Sequence, residues 1–555
     1  MKKLITFFAV MLFMQVNAQI APNKYFVQFT DKNNSPYSIN NPQEFLTERS
    51  LQRREKQNIP LVANDLPVNP DYLQGVAQTG AALLFPSKWL NGVTIQTSSQ
   101  SVLNAIAALP YVSGLRGLVD EPLKQKIKEK VFFEQESISD DLKPDLSEDK
   151  SGSFFDFGSG FTQINQINGI PLHTGGFRGQ GMVMALLDGG YFGVDTHVAF
   201  DSIRLNGQIL GTKDFTEPGG SVYNQSSHGT AVLSTIASNR PGQLIGTAPK
   251  ASFWLLRPEF VATEHVIEEY NWVSAAEFAD SVGVDIINSS LGYIDFDFSQ
   301  WNHSYDHMDG NTCVVTIGAD IASSKGILVV NSAGNSGGSS SFPYIGAPAD
   351  GFNVFSIGAV NGSGIRASFS SVGPTYDGRI KPDVMAMGAG TAVTGSGNSS
   401  FSFSNGTSFS SPVLAGMAAC LWQARPDFTN LEIKQAIMMS GDNSANPNVT
   451  YGYGIPNFMI AYSILTSIDT GDKLQAKFID IYPNPYTSSL FVYFRDNKVL
   501  SIKVYDIQGR LQIEGEFDSF QATRLQSSLL GLRTGMYMVH VKSDNALQKI
   551  KIMKN

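Results

Sequence analysis

Between about residues 154 and 465, short uninterrupted apolar runs alternate with longer stretches of helical periodicity. The apolar runs are Met182–Leu187, Ser252–Leu256, Asp285–Asn288 and Gly326–Asn331. Runs of this kind are typical of strands that are buried on both faces of a sheet. The helix-like stretches between and after them include Thr230–Ser238, Glu264–Val282 and Asn430–Met439. The alternation predicts an α/β domain at 154–467, with a mostly parallel sheet flanked by helices.

The preceding region, residues 19–133, has the pattern of a small α+β unit. Strands are predicted at Tyr25–Phe29, Val93–Gln96 and Val112–Leu118, and helices from Asn41-Pro42 through Arg54 and at Ser101–Leu109. Residues 134–153 are acidic and polar without an apolar period, which predicts a linker. A small domain, a linker open to cleavage and a large domain have the layout of a zymogen. An independent binding domain is the alternative.

The last region, residues 468–555, consists of short alternating runs separated by turn sequences. The runs are Lys477–Tyr482, Leu490–Phe494, Ser501–Tyr505, Leu511–Glu516, Met536–Val541 and Lys549–Met553. Alternation with a period of two, interrupted by Asn-Pro, Asp-Asn and Gln-Gly turns, predicts a small antiparallel β-sandwich.

The first 18 residues have the pattern of a signal peptide. Lys2 and Lys3 precede the apolar run Leu4–Met14, and small residues follow at Val16 and Ala18. The apolar run is shorter than the roughly 20 residues that a membrane-spanning helix needs. We therefore expect export of the chain followed by removal of this segment.

Composition narrows the class of function. The chain of 555 residues has a formal net charge of −9, and 16% of its residues are charged. Nucleic-acid binding needs a cationic face, which this sequence lacks. The chain has two cysteines, Cys313 and Cys420. Whether they form a disulfide is not decided by the sequence, because sequence alone cannot place their Cα atoms within bonding range.

The stretch Asn405–Trp422 supplies a candidate nucleophile. Pro412 opens an apolar run of small residues, and proline is tolerated in the first turn of a helix. We therefore expect a buried helix that starts near Pro412, with Ser408 at the tight turn that leads into it. A serine in this position is often only a helix cap.

Two other elements supply partners for such a serine. Asp188 follows the first apolar run and precedes two glycines, and His228 stands before Gly229 and Thr230 at the start of a helix-like stretch. Each residue alone has an ordinary structural explanation. Together with Ser408 they supply an orienting carboxylate, a base and a nucleophile.

The surrounding motifs resemble those of subtilisin-like serine peptidases. The matching stretches are ALLDGG around Asp188, SHGTAV around His228, NGTSFSSP around Ser408, INSSLG at 287–292 and NSAGNSG at 331–337. The chain order Asp, His, Ser is also that of the family. One departure is DGG, where many relatives have DTG or DSG.

The resemblance implies a secreted serine endopeptidase made as a zymogen, and it implies roles for individual residues. Asp188, His228 and Ser408 would form the catalytic triad, and Asn335 would donate to the oxyanion. Ser290, Leu291 and Gly292 would bind an extended peptide through their backbone groups. We expect no cofactor and no metal ligand that can be named. Calcium is common in the family, but no ligand cluster stands out.

The C-terminal motifs YPNPY, VYDIQGR, GMYMVHV and IKIMKN resemble the sorting domain of proteins that the type IX secretion system exports. By that resemblance, residues 468–555 are read by the export machinery, the protein reaches the cell surface or the medium through the periplasm, and the source is a Bacteroidetes-type bacterium. A carbohydrate- or surface-binding module is the alternative. We expect a monomer whose other partners are protein or peptide substrates.

Other functions fit the sequence less well. The stretch 334–338 satisfies G-x-S-x-G, but that fold needs its histidine after the serine, and the candidate beyond Ser336 is the remote His540. His303 and His307 lack the glutamate of a zinc HExxH motif. An exported surface or adhesion protein built on an inactive subtilisin-like fold remains the second hypothesis.

Overall fold

A computed structural model describes residues 23–118, 156–468, 478–482, 486–487, 490–494, 498–518, 521–543 and 546–554. The N-terminal domain comprises 23–118, the central domain 156–468 and the C-terminal domain the ranges from 478 onward. The expected signal peptide and acidic linker lie outside the described residues, and the domain boundaries stay predictions.

A sheet of seven parallel strands forms the middle of the central domain. The strands of the central domain are β5 (Val183–Leu187), β6 (Ile209–Asp214), β7 (Asn239–Arg240), β8 (Leu244–Ile245), β9 (Ser252–Arg257), β10 (Ile286–Ser289), β11 (Leu328–Ser332), β12 (Phe355–Val360), β13 (Val384–Met387), β14 (Thr391–Thr394) and β15 (Phe401–Ser404). The large sheet has the order β13-β12-β11-β10-β5-β9-β6, and its neighbouring strands are parallel. The predicted α/β fold is therefore confirmed.

Helices cover both faces of this sheet. They are α4 (Phe161–Asn165), α5 (Ile170–Thr174), α6 (Asp201–Leu205), α7 (His228–Ala237), α8 (Ile267–Ser281), α9 (Val314–Ser324), α10 (Thr407–Ala424), α11 (Asn430–Met439) and α12 (Phe458–Ile468). Separate apolar clusters pack on the two faces, one around α7 and α10 and the other around α8 and α9. Because the strands are parallel, their carboxyl ends meet at one edge of the sheet, where loops from different strands converge.

The expected start of α10 at Pro412 is wrong. The helix begins five residues earlier, at Thr407, so that Pro412 lies inside it and Ser408 occupies its second position. Pro412 was expected in the first turn because proline has no N–H to donate within the helix. In the structure, the Ser408 carbonyl, which would have accepted that N–H, accepts a hydrogen bond from the Ser290 hydroxyl instead.

The N-terminal domain is a four-stranded antiparallel sheet with helices. Its elements are β1 (Lys24–Phe29), α1 (Glu48–Lys56), α2 (Pro70–Gln78), β2 (Ala82–Ser87), β3 (Gly92–Gln96), α3 (Gln100–Ala107) and β4 (Val112–Gly117), with the strand order β2-β3-β1-β4. The helix predicted from Asn41-Pro42 is wrong in its start. Pro42–Glu44 forms a 3-10 turn, and α1 begins only after Thr47, whose side chain accepts the Ser50 N–H.

The N-terminal domain packs on α8 of the central domain. Phe26, Trp89 and Leu118 enter the apolar cluster that contains the buried face of α8. Around this apolar contact, Arg53, Arg54 and Lys88 surround the carboxylate of Asp280, which is completely buried.

The C-terminal domain contains two antiparallel sheets that share one apolar core. One pairs β16 (Ile479–Tyr482) with β17 (Phe491–Phe494), and the other has the order β19-β18-β20-β21, from β18 (Leu500–Asp506), β19 (Leu511–Phe517), β20 (Gly535–Ser543) and β21 (Ala546–Lys554). A helix that the sequence did not predict, α13 (Ala522–Leu530), packs into the same core. Across the described ranges of all three domains, none of the helices combines the length and apolarity that a bilayer crossing requires.

Candidate active site

Asp188 and His228 form a buried pair at the carboxyl edge of the sheet. Asp188 follows β5 and His228 is the first residue of α7, and neither is exposed to solvent. The His228 Nδ1 atom lies 2.7 Å from Asp188 Oδ1, which also accepts the Gly189 N–H at 2.8 Å. A carboxylate held in this way fixes the orientation of the imidazole ring.

Two glycines allow the close approach of these segments. Gly190 has a φ of +149°, and a Cβ there would lie 2.7 Å from the Ser226 N atom. A Cβ at Gly229 would lie 2.9 Å from the Cβ of Asp188. The sequence DGG at 188–190 therefore fits the contact between Asp188 and His228, because the loop before His228 passes so close to Gly190 that a side chain there would collide with it.

Ser408 lies at the N-terminal end of α10, beside α7. The ring centroids of His228 and Phe409, the residue after Ser408, are 6.1 Å apart. The Ser408 hydroxyl donates to the Ser290 carbonyl at a long 3.4 Å, and 6% of the residue is exposed. The positive end of the helix dipole faces this hydroxyl, which favours negative charge that develops there.

The turn before Ser408 holds the side chain of Asn335. Asn335 follows β11, and its Oδ1 accepts hydrogen bonds from both the N–H and the hydroxyl of Thr407 at 2.9 Å. Because both bonds go to Oδ1, the Nδ2 donors stay available for a ligand. A Cβ on Gly406 would lie 3.7 Å from Nδ2, which places the amide next to the turn that carries the nucleophile.

The segment Ser290–Gly292 continues from the carboxyl end of β10. Ser290 contacts Ser408 twice, since its hydroxyl donates to the Ser408 carbonyl at 2.9 Å and its carbonyl accepts the Ser408 hydroxyl. Leu291 is buried and Gly292 is exposed. The structure thus pairs Asp188 with His228 and places Ser290 and Asn335 against the turn that carries Ser408. The catalytic roles of these residues stay predictions.

Comparison with known proteins identifies the family. Over 301 residues the chain is 33% identical to subtilisin NAT from Bacillus subtilis subsp. natto, an alignment that covers 54% of this chain and 70% of that protein. It is 31% identical to subtilisin from Bacillus pumilus, with 54% of this chain and 97% of that protein covered. The chain belongs to the subtilase family.

Sequence profiles of known families match three regions of this subtilase. The subtilase family matches residues 179–455, the peptidase S8 propeptide domain of Bacteroidota matches 24–132, and the secretion-system C-terminal sorting domain matches 480–555. The solved structure of the prenylagaramide maturation protease PagA is 22% identical, covers 54% of this chain and 98% of that chain, and has a TM-score of 0.42. The protein is a serine endopeptidase with a propeptide, and the predicted zymogen and sorting domain are confirmed.

Sequence reasoning missed a cluster of carboxylates near the substrate segment. Oxygens of Glu259, Glu264 and Glu268 lie within 4.8 Å of one another, and the Tyr293 hydroxyl donates to Glu259 at 2.8 Å. Burial, together with Glu268, raises the pKa of Glu259 well above its usual range. Glu259 and Glu264 lie in the loop before α8, and Glu268 lies in the first turn of α8. The sequence therefore contains no regular spacing from which the cluster could be predicted. The expectations about calcium and cofactors stay untested.

The two cysteines are buried and unbonded. Burial raises the pKa of both thiols, so that both stay protonated at neutral pH. They act as small apolar side chains in the two clusters that flank the sheet.

Proposed function

We propose that this subtilase hydrolyses peptide bonds through Asp188, His228 and Ser408. The observation that carries the proposal is the buried contact of 2.7 Å between His228 Nδ1 and Asp188 Oδ1, next to the helix terminus that bears Ser408. A carboxylate on Nδ1 keeps the proton there, which leaves Nε2 as the base.

The reaction follows from these positions. Nε2 of His228 takes the Ser408 hydroxyl proton while Oγ bonds to the peptide carbonyl carbon. The resulting oxyanion accepts hydrogen bonds from Asn335 Nδ2 and the Ser408 N–H. His228 then gives the proton to the departing amine. In the second half, His228 takes a proton from water as the water oxygen bonds to the acyl carbon, and it gives this proton to Ser408 Oγ as the carboxylic acid product leaves. Asp188 holds the imidazole throughout.

The substrate would be an extended peptide that pairs with Ser290, Leu291 and Gly292 through backbone groups. Gly292 is exposed and stands two residues after Ser290, which contacts Ser408, and this supports the placement. Backbone pairing accepts many sequences, so the proposal is an endopeptidase on proteins and peptides. It would act after export by the type IX machinery and release of the N-terminal domain.

Replacement of the nucleophile tests the proposal. Ser408→Ala should abolish measurable peptide hydrolysis, by a factor of roughly 10⁶ if the loss matches the one known for subtilisin. The N-terminal domain should also stay covalently attached in this variant. Retained hydrolysis would refute the assignment. Loss of hydrolysis with normal processing would mean that another protease makes the cut.

A further inference from the structure

A closed set of buried hydrogen bonds ties the nucleophile helix to the strand that leads into the substrate segment. The Ser411 hydroxyl donates to Asn288 Oδ1 at 2.9 Å, Asn288 Nδ2 donates to Ser290 Oγ at 3.2 Å, and the Ser290 hydroxyl donates to the Ser408 carbonyl at 2.9 Å. Ser408 and Ser411 are on α10, whereas Asn288 is on β10 and Ser290 follows it. All four residues are buried.

Pro412 explains why the last of these bonds is needed. In an uninterrupted α-helix the N–H of residue 412 would donate to the carbonyl of residue 408. Pro412 has no N–H, so the carbonyl of Ser408 loses its helical donor. The Ser290 hydroxyl takes that place from outside the helix. A buried carbonyl left without a donor is costly, and the chain would shift to find one.

The bonds also have a fixed direction. Of the two polar atoms of the Asn288 amide, only Oδ1 can accept the Ser411 hydroxyl proton, and this turns the Nδ2 group toward Ser290. Since Ser290 Oγ accepts from Asn288, its own proton is directed to the Ser408 carbonyl. The backbone of the nucleophile residue is thereby held against the strand that presents the peptide.

We propose that Ser411, Asn288 and Ser290 act as positioning residues, which hold the Ser408 backbone at the distance from the substrate strand that catalysis requires. This inference rests on the proposed role of Ser408 as the nucleophile. Misplacement of a reacting group by about 1 Å can cost about 100-fold in rate, so a small shift of this backbone should appear in kcat.

A double-mutant cycle between Ser290 and Pro412 tests the inference. Ser290→Ala removes the donor but keeps the backbone of the substrate segment, so kcat should fall about tenfold while KM changes less than about twofold; tenfold corresponds to about 1.4 kcal/mol. Pro412→Ala restores an N–H that can donate to the Ser408 carbonyl. In the Pro412→Ala background, Ser290→Ala should therefore cost much less. An equal loss in both backgrounds would overturn the inference.

A second variant covers the case in which Ser290→Ala does not fold. An ionised carboxylate in Asn288→Asp would accept the Ser290 proton instead of donating to Ser290, which withdraws that proton from the Ser408 carbonyl. The same loss of kcat and the same rescue by Pro412→Ala are expected. Unchanged kcat in Asn288→Asp, or a loss that Pro412→Ala does not reduce, would contradict the proposal.

Two controls separate positioning from stability and from the nucleophile assignment. The buried hydroxyl of Ser238 donates to the Leu244 carbonyl at 2.8 Å, far along α7 from the site. Ser238→Ala should lower the unfolding temperature about as much as Ser290→Ala without changing kcat. Equal kcat losses in these two variants would leave only a structural role for Ser290. Ser408→Ala measured alongside shows separately whether the proposed function itself holds.

Discussion

Asp280 is the residue of the central domain at which a single substitution should most weaken the contact with the N-terminal domain. Its carboxylate lies 2.6 Å from Arg53, 2.8 Å from Arg54 and 2.9 Å from Lys88, and all three cations come from the N-terminal domain. Burial alone would raise the pKa of the Asp280 carboxyl, but Lys88, Arg54 and Arg53 outweigh it and hold this pKa well below its usual range. We predict that Asp280→Asn releases the propeptide domain.

The size of the effect follows from burial. Asp280 is completely buried, so the substitution leaves Arg53 and Lys88 facing a neutral amide and Arg54 with Asp65 as its remaining carboxylate partner. Breaking a buried ion pair in this way costs about 3–5 kcal/mol. At about 1.4 kcal/mol for each factor of ten, the domain should bind about 10²- to 10⁴-fold more weakly. Because the pKa of Asp280 is depressed, its contribution is complete above its ordinary value of 3.8 and is lost only in stronger acid.

The assay uses the Ser408→Ala background, with a site for a specific protease inserted into residues 134–153. After cleavage, size-exclusion chromatography at decreasing concentration measures the dissociation constant of the N-terminal domain. Asp201→Asn is the control, because it removes an acid from a partly exposed pair with Arg204 that lies away from the interface, and exposed pairs contribute only about 0–1 kcal/mol. If Asp280→Asn retains the domain as tightly as the control, the buried cluster does not hold the interface.

Three further predictions concern other parts of the molecule. Asn335→Ala should lower kcat about 10²- to 10³-fold, the size known for the oxyanion asparagine of subtilisin, and an unchanged steady-state rate would remove Asn335 from the site. Burial lowers the pKa of His173 to about 4 from 6.5, so the unfolded chain binds more protons between these values and stability should fall by about 3 kcal/mol as the pH drops through them. The free energy of unfolding in urea, measured against pH for Ser408→Ala, should fall in this way, and the fall should be smaller by that amount when His173→Gln is added. The same pH dependence in both proteins would contradict the reasoning. Deletion of 468–555 should leave an enzyme that cleaves small peptides but stays in the periplasm, as fractionation would show, whereas loss of that activity would place the segment in the catalytic fold.

The sequence was sufficient wherever a local pattern determines structure. The run Met182–Leu187 predicted a buried strand because it lacks polar residues, and β5 occupies nearly the same positions. Asn430–Met439 was predicted with the bounds that α11 has, and the structure shows a capping box of Thr429 and Glu432 at its start. The five motifs also predicted the residues of the site, and Asp188 and Asn335 indeed follow the carboxyl ends of β5 and β11, although their roles stay predictions.

The sequence was insufficient where contacts from distant segments decide. Nothing near Pro412 reveals that Ser290 replaces its missing N–H, so the start of α10 was placed too late. Asp280 occupies a helix in which an acid would ordinarily face water, and only the docked N-terminal domain buries it. The helix α2 and the strand β2 were missed because Gly75 and Pro86 weaken their local patterns.

The most direct test of the central claim is labelling with a fluorophosphonate probe, which reacts with an activated serine. The mature enzyme should take up one probe, and peptide mapping should place it on Ser408. His228→Ala should remove the labelling because the base is lost. A probe attached to another residue, or no labelling of a folded and processed enzyme, would contradict the account.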